Sequence, residues 1–85
     1  NKILKRTYLC RNGGYMPNYI INVNEDEKGY NEVHNETTCS HLPDTYNRKT
    51  LGNFSNEIDA VSYAKRIGYT NADGCAHCCP LAHKG

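Results

Sequence analysis

Tryptophan is absent from this 85-residue chain, and phenylalanine and methionine occur once each, as Phe54 and Met16. Together with Ile, Leu and Val they make up under a fifth of the sequence. A chain of this length buries only about 60–65% of its unfolded surface, so a core this poor in apolar residues is marginal. No apolar run approaches the length of a membrane helix or of a signal h-region. Internal repeats are lacking, as is any low-complexity tract beyond an excess of Asn, and no Gly-rich phosphate loop or convincing hydrolase constellation is present. These absences exclude a multi-domain enzyme, a membrane span and a coiled coil. They leave one domain over residues 1–85 whose core needs a staple, either disulfides or a metal.

Net charge is also nearly lacking, at +1, but its distribution is uneven. Lys2, Lys5, Arg6 and Arg11 make residues 1–18 a basic arm, while Glu25, Asp26, Glu27, Glu32 and Glu36 form an acidic stretch relieved only by Lys28. Such splits are common on solvated surfaces. A pI near 7.8 lies far below that of a dedicated duplex binder. The chain opens on Asn1 rather than Met, as expected of a processed product, a fragment or a chain trimmed of its leader.

What the sequence does have is five Cys and four His. Secreted disulfide scaffolds usually carry an even number of cysteines spread along the chain. Here Cys10 and Cys39 stand alone while Cys75, Cys78 and Cys79 crowd together. Adjacent cysteines rarely bond each other, because the ring they close is strained. The crowding reads more naturally as Cys-x-x-Cys metal geometry, in which two thiolates approach one ion from a tight turn. Disulfides stay open as the second reading. A redox Cys-x-x-Cys is the third, although no thioredoxin-like frame surrounds it.

The pattern along the chain predicts a small zinc-stabilised α+β domain, with a short antiparallel sheet or hairpin and one main helix. Residues 7–10 read as a strand closed by the Asn12-Gly13-Gly14 turn. Residues 19–23 alternate as a second strand, with Tyr19, Ile21 and Val23 on one face. Residues 24–29 are a polar hairpin loop ending in Gly29. Residues 30–34 return as a strand that sets Val33 on one face and Tyr30, Glu32 and His34 on the other. Residues 35–53 read as a long polar connection. A helix is predicted over about residues 55–67, with Ser55 as N-cap, Glu57 and Asp59 in the first turn, and Gly68 just past the end. Its buried stripe runs through Ile58, Val61 and Ala64, flanked by Ala60, Tyr63 and Ile67. The tail from Tyr69 to Pro80 is a loop that delivers thiols.

Zinc takes four soft or borderline ligands in a tetrahedron, usually as two pairs. Cys75 and Cys78 make one pair. His34 and Cys39, in a His-x4-Cys spacing at a strand end, offer the other. Cys79, His41, His77 and His83 remain as alternates.

The order His34…Cys39, then Phe54-Ser55 opening a helix with Ala60, then Gly68-Tyr69 and Cys75-x-x-Cys78-x-Pro80, resembles the Ada-type metal-binding domain. This is the zinc module of bacterial methylphosphotriester repair proteins and of small stand-alone relatives. The likeness spans about residues 30–80. It implies a zinc held by His34, Cys39, Cys75 and Cys78, with Cys39 the sacrificial methyl acceptor. The sequence departs from the family in three ways. Five residues separate Tyr69 from Cys75 where about two are usual, Gly74 stands in place of Pro, and the basic recognition region of the repair proteins is not found. Cys79 takes a position the family fills with a non-ligand, and Cys10 lies outside the match.

Three functions follow as expectations. The first is a structural Cys3His zinc module that acts through surface binding and is not an enzyme. Its partner would be a protein or a nucleic acid, the latter held through Lys2, Lys5, Arg6, Arg11, Arg48 and Lys49 on phosphates, with Tyr8 and Tyr15 for stacking. A small-molecule substrate is not expected, and the chain reads as a monomer. The second is a secreted, disulfide-stapled antibacterial, toxin-like or inhibitor protein, which the sequons at Asn35 and Asn53 would suit. The third is alkyl acceptance at Cys39. A zinc site places the chain in the cytoplasm, and disulfides place it outside the cell.

Overall fold

The computed structural model describes residues 16–85. The strand expected over residues 7–10, the Asn12-Gly13-Gly14 turn, Cys10, Tyr8, Tyr15 and the basic Lys2, Lys5, Arg6 and Arg11 lie outside the described residues. Strands β1 (Asn18–Asn22) and β2 (Asn31–Asn35) form the expected antiparallel hairpin, in a register that sets Ile20 opposite His34 and Ile21 opposite Val33. Their loop is built by Asp26, whose side-chain Oδ1 accepts from the backbone N–H groups of Lys28 and Tyr30, both at 2.9 Å. Gly29 completes it at φ +88°, a conformation that costs a side-chain-bearing residue about 1–2 kcal/mol.

Residues 35–53 are not one long connection. They contain β3 (Arg48–Asn53), which pairs antiparallel with the outer side of β1. The strand has a single aliphatic residue, Leu51, which is buried, and its register slips where Leu51 and Gly52 meet Tyr19 and Ile20. That bulge breaks the two-residue alternation from which a strand is read. Exposed Lys49 and Thr50 further disguise it, as suits a sheet edge.

Helix α1 (Glu57–Arg66) packs across one face of the sheet and buries Ala60, Val61 and Ala64. Its N-cap is Asn56 rather than the expected Ser55. The Asn56 Oδ1 accepts from Asp59 N at 2.8 Å, and the Asn56 amide reaches back to the Asp59 carboxylate. At the other end Tyr69 N donates to Ala64 O and Gly68 N to Lys65 O. This is a Schellman cap, which the positive φ of Gly68 allows. The buried stripe is narrower than expected. It runs through Ala60, Val61 and Ala64, while Ile58 and Ile67 are exposed.

The tail is more ordered than a loop. Residues Ala72–Gly74 form β4, parallel to β2 in the register Asn31–Ala72, Glu32–Asp73 and Val33–Gly74. The sheet is therefore mixed, in the order β3-β1-β2-β4, and the fold is a small α+β domain. Tyr19, Ile21, Val33, Leu51, Ala72, Cys79 and Ala82 fill the core beneath α1, with Phe54, Tyr63 and Tyr69 at its margin. Ile20 and His34 occupy the opposite face of the same two strands and are equally buried. Buried Asp73 fixes the end of the chain by accepting from the backbone N–H groups of Lys84 and Gly85. Among the described residues no helix is long and apolar enough to cross a membrane.

Candidate metal centre

Two short turns at neighbouring strand ends bring the donors together. The first leaves β2. The Asn35 side chain accepts from Thr37 N and Thr38 N, and Cys39 N donates to Asn35 O at 3.0 Å. The chain thus folds back until Cys39 Sγ lies 3.4 Å from His34 Nδ1. The second turn leaves β4. Cys75 N donates to Val33 O at 2.9 Å, extending the parallel ladder by one bond, and Cys79 N then closes on Cys75 O at 2.8 Å. This returns Cys78 to the same point, where its sulfur accepts from Asn35 N at 3.3 Å.

His34, Cys39, Cys75 and Cys78 each present one donor atom, and all four atoms lie within 4.8 Å of one another. The Cys39 and Cys75 sulfurs are 3.9 Å apart. A tetrahedral ion with thiolate bonds of about 2.3 Å needs sulfurs about 3.8 Å apart, whereas a disulfide needs about 2.05 Å. Cys39, Cys75, Cys78 and Cys79 are all free thiols. The donor set therefore fits a metal ion and not a covalent bridge.

The surroundings support the same use. Each thiol of the set receives a backbone N–H. His41 N donates to Cys39 Sγ at 3.3 Å and His77 N to Cys75 Sγ at 3.4 Å, alongside the bond from Asn35 to Cys78. Donors of this kind favour the thiolate form that a metal requires. His34 is 2% exposed, and its pKa is pushed down to about 4 by burial, with Arg48 and His41 adding to the effect. A neutral imidazole is the form that binds a metal. Its Nε2 lies 3.8 Å from the Glu32 carboxylate, on the side away from Cys39, where a carboxylate can hold the ring orientation. Burial pushes the Cys75 and Cys78 thiols up. A cation bound here would supply the positive charge that burial withholds, and the thiol protons would leave as it bound.

The alternates take other places. Cys79 is fully buried on the helix side of the sheet, 3.5 Å from Cys78 Sγ, and burial holds its thiol up at about 11. It packs in the core. His41 and His77 stand two residues after Cys39 and Cys75 and contribute their backbone N–H groups. Their exposed rings stack on each other, with centroids 3.9 Å apart and planes 13° from parallel. His83 sits by Gly74 O and the Asp73 carboxylate, apart from the cluster. Of the residues expected to meet phosphates, Arg48 is engaged with Pro43 O and Glu36, and Lys49 is exposed.

Two contributors went unread in the sequence. Asn35 shapes the first turn and donates to Cys78, and Glu32 backs His34. The alternation that puts Glu32 and His34 on one strand face was the available signal for the second. Comparison with known protein families, with curated proteins and with solved structures returns no match for this chain.

Proposed function

We propose that the chain is a zinc-pinned binding module whose metal is structural and whose work is done at its surface. One observation carries this reading: three thiols and one imidazole converge within 4.8 Å without any sulfur–sulfur bond. A borderline ion that accepts mixed sulfur and nitrogen ligands tetrahedrally is zinc. Four protein ligands complete its coordination and leave no open position for hydrolysis. The motif order that resembles the Ada-type domain agrees with the same four residues. Cys39, the acceptor which that resemblance implies, is only 9% exposed and its sulfur already receives a hydrogen bond from His41 N. We therefore assign the metal to holding the fold.

Native mass spectrometry of untreated protein tests the assignment. Bound zinc adds about 63 Da that denaturation removes, leaving every thiol free to alkylate. A denatured mass about 4 Da below that of the reduced chain means two disulfides, and the zinc reading then fails.

A further inference from the structure

Beside the metal-bearing loop lies a groove of about 260 Å³ between α1 and the turn Pro80–Ala82. Its floor is Val61 and Ala82, and its walls carry Ile58, Leu81, Lys65 and Lys84. Residues 58, 61 and 65 share one helix face, since residues three and four apart are neighbours on a helix. Ile58 is 53% exposed and Leu81 76%. Two large aliphatic side chains left in water around one concavity mark a contact surface more than chance exposure does.

Leu81 is held outward by design of the turn. Its N–H donates to Glu57 Oε2 at 2.6 Å, and Ala82 N shares the same oxygen. Pro80 restricts the backbone before it, and Ala82 N and His83 N close the turn on Cys79 O and Pro80 O. Cys79 and Ala82 on either side are buried. The leucine is thus fixed three residues after the ligand Cys78 and does not sit on a loose loop. Anchors of this kind, presented without a further ordering cost, suit recognition.

The charges choose the partner. Lys65 and Lys84 are the charged side chains lining the groove, and the nearby Glu57 carboxylate is taken up by the turn. A nucleic acid would meet the lysines but leave Ile58 and Leu81 wet. A segment carrying an apolar side chain between carboxylates satisfies both.

We propose that this groove docks an acidic, amphipathic segment of a partner protein. The inference deepens the binding-module reading and rests on it, because the zinc anchors the turn that presents Leu81.

The test uses the zinc-loaded full chain, labelled with nitrogen-15. It is titrated with a short peptide of repeated Leu-Glu-Glu-Leu, with its lysine counterpart Leu-Lys-Lys-Leu, and with a short thymidine DNA. The acidic peptide is expected to give saturable amide shifts confined to Ile58, Val61, Lys65, Leu81, Ala82 and Lys84. Raising salt from about 0.05 to 0.5 M should weaken it about threefold or more. Leu81→Asp should weaken it about tenfold or more, and Leu81→Met should leave it within about threefold. The docking proposal is overturned by silence in the groove, by equal shifts with the lysine peptide or the DNA, or by unaltered binding of Leu81→Asp. It is also overturned if the groove is filled by a second copy, through exposed Val23 and its acidic neighbours Glu25 and Glu27, seen as slowed diffusion of the chain alone. Native mass separates the two readings. Zinc retained with a silent groove sinks the docking proposal alone, and zinc absent from the wild type sinks the module.

Discussion

If one ion ties the ends of β2 and β4, thermal stability must follow the free zinc concentration with a slope fixed in advance. The four donors form a single cluster, so one ion is lost per chain on unfolding. For one site above its dissociation constant, each tenfold fall in free zinc removes about 1.4 kcal/mol. In a domain of 60–100 residues, about 1 kcal/mol moves the midpoint by roughly 4–8 °C. Scanning calorimetry in zinc buffers should therefore show Tm falling by roughly 6–11 °C per decade. The line should flatten once zinc drops below the dissociation constant. Cys75→Ser, which alters a nearly inaccessible member of the donor cluster, should abolish the slope, and Cys79→Ser should leave it intact. A reducing agent should change nothing in any of these. A Tm that ignores free zinc over four decades, or one that collapses with reductant alone, would refute the argument. Twice the slope would mean two ions and a different site.

Three further outcomes are expected. At fixed free zinc, stability should rise with pH, because near neutrality the unfolded chain carries three thiol protons that the loaded site has expelled. Three protons correspond to about 4 kcal/mol per pH unit. Below pH 6.5 unfolded His34 takes up a fourth proton, which the folded pocket refuses until about 4. The slope of denaturation midpoints should steepen there, and a flat profile between pH 6 and 8 contradicts thiolate ligation. Cys79→Ala empties a fully buried core position, so urea unfolding should show a loss of about 1–2 kcal/mol, while native mass still finds one zinc. Zinc lost from that variant would make Cys79 a ligand after all. Asn56→Ala should cost about 1 kcal/mol through the lost N-cap, with Ser55→Ala within about 0.5 kcal/mol; the reverse order would restore Ser55 as the cap.

The hairpin, the helix and the four converging donors were legible because each rests on local chemistry. Alternation from Tyr19 to Val23, a polar loop ending in Gly29, and the Lys65-Arg66 end of a helix before Gly68 are short-range signals. His34 with Cys39, and Cys75 with Cys78, are pairs set by single turns. The missed features depend on partners far along the chain. Strand β3 has one aliphatic residue and a bulge, and becomes a strand only because β1 offers it an edge. Residues Ala72–Gly74 are too few and too polar to read as β4. They extend because β2 lies alongside. Ser55 and Asn56 are both good caps by type, and only the helix register chooses between them.

The position of the four-donor cluster answers a weakness in this topology. Strand β4 has three residues and meets β2 in a parallel ladder, whose bonds are slightly weaker than antiparallel ones. Its partner lies about forty residues earlier, so the pairing must overcome the entropy of closing a long loop. Gly74 shows how tight the closure is, because an added Cβ there would lie 2.6 Å from Cys79 O and 2.8 Å from the Ala82 side chain. Three ladder positions are a small return for that constraint. An ion held by the four donors would sit where the deficit is greatest, joining Cys39, just past β2, to Cys75, just past β4. It would also reach the core from the side opposite the helix, since His34 and Ile20 face away from α1 while Val33 and Ile21 face toward it. One occupied site would thus close the long loop, cover the second face of the central strands, and fix the turn from Cys75 to Ala82.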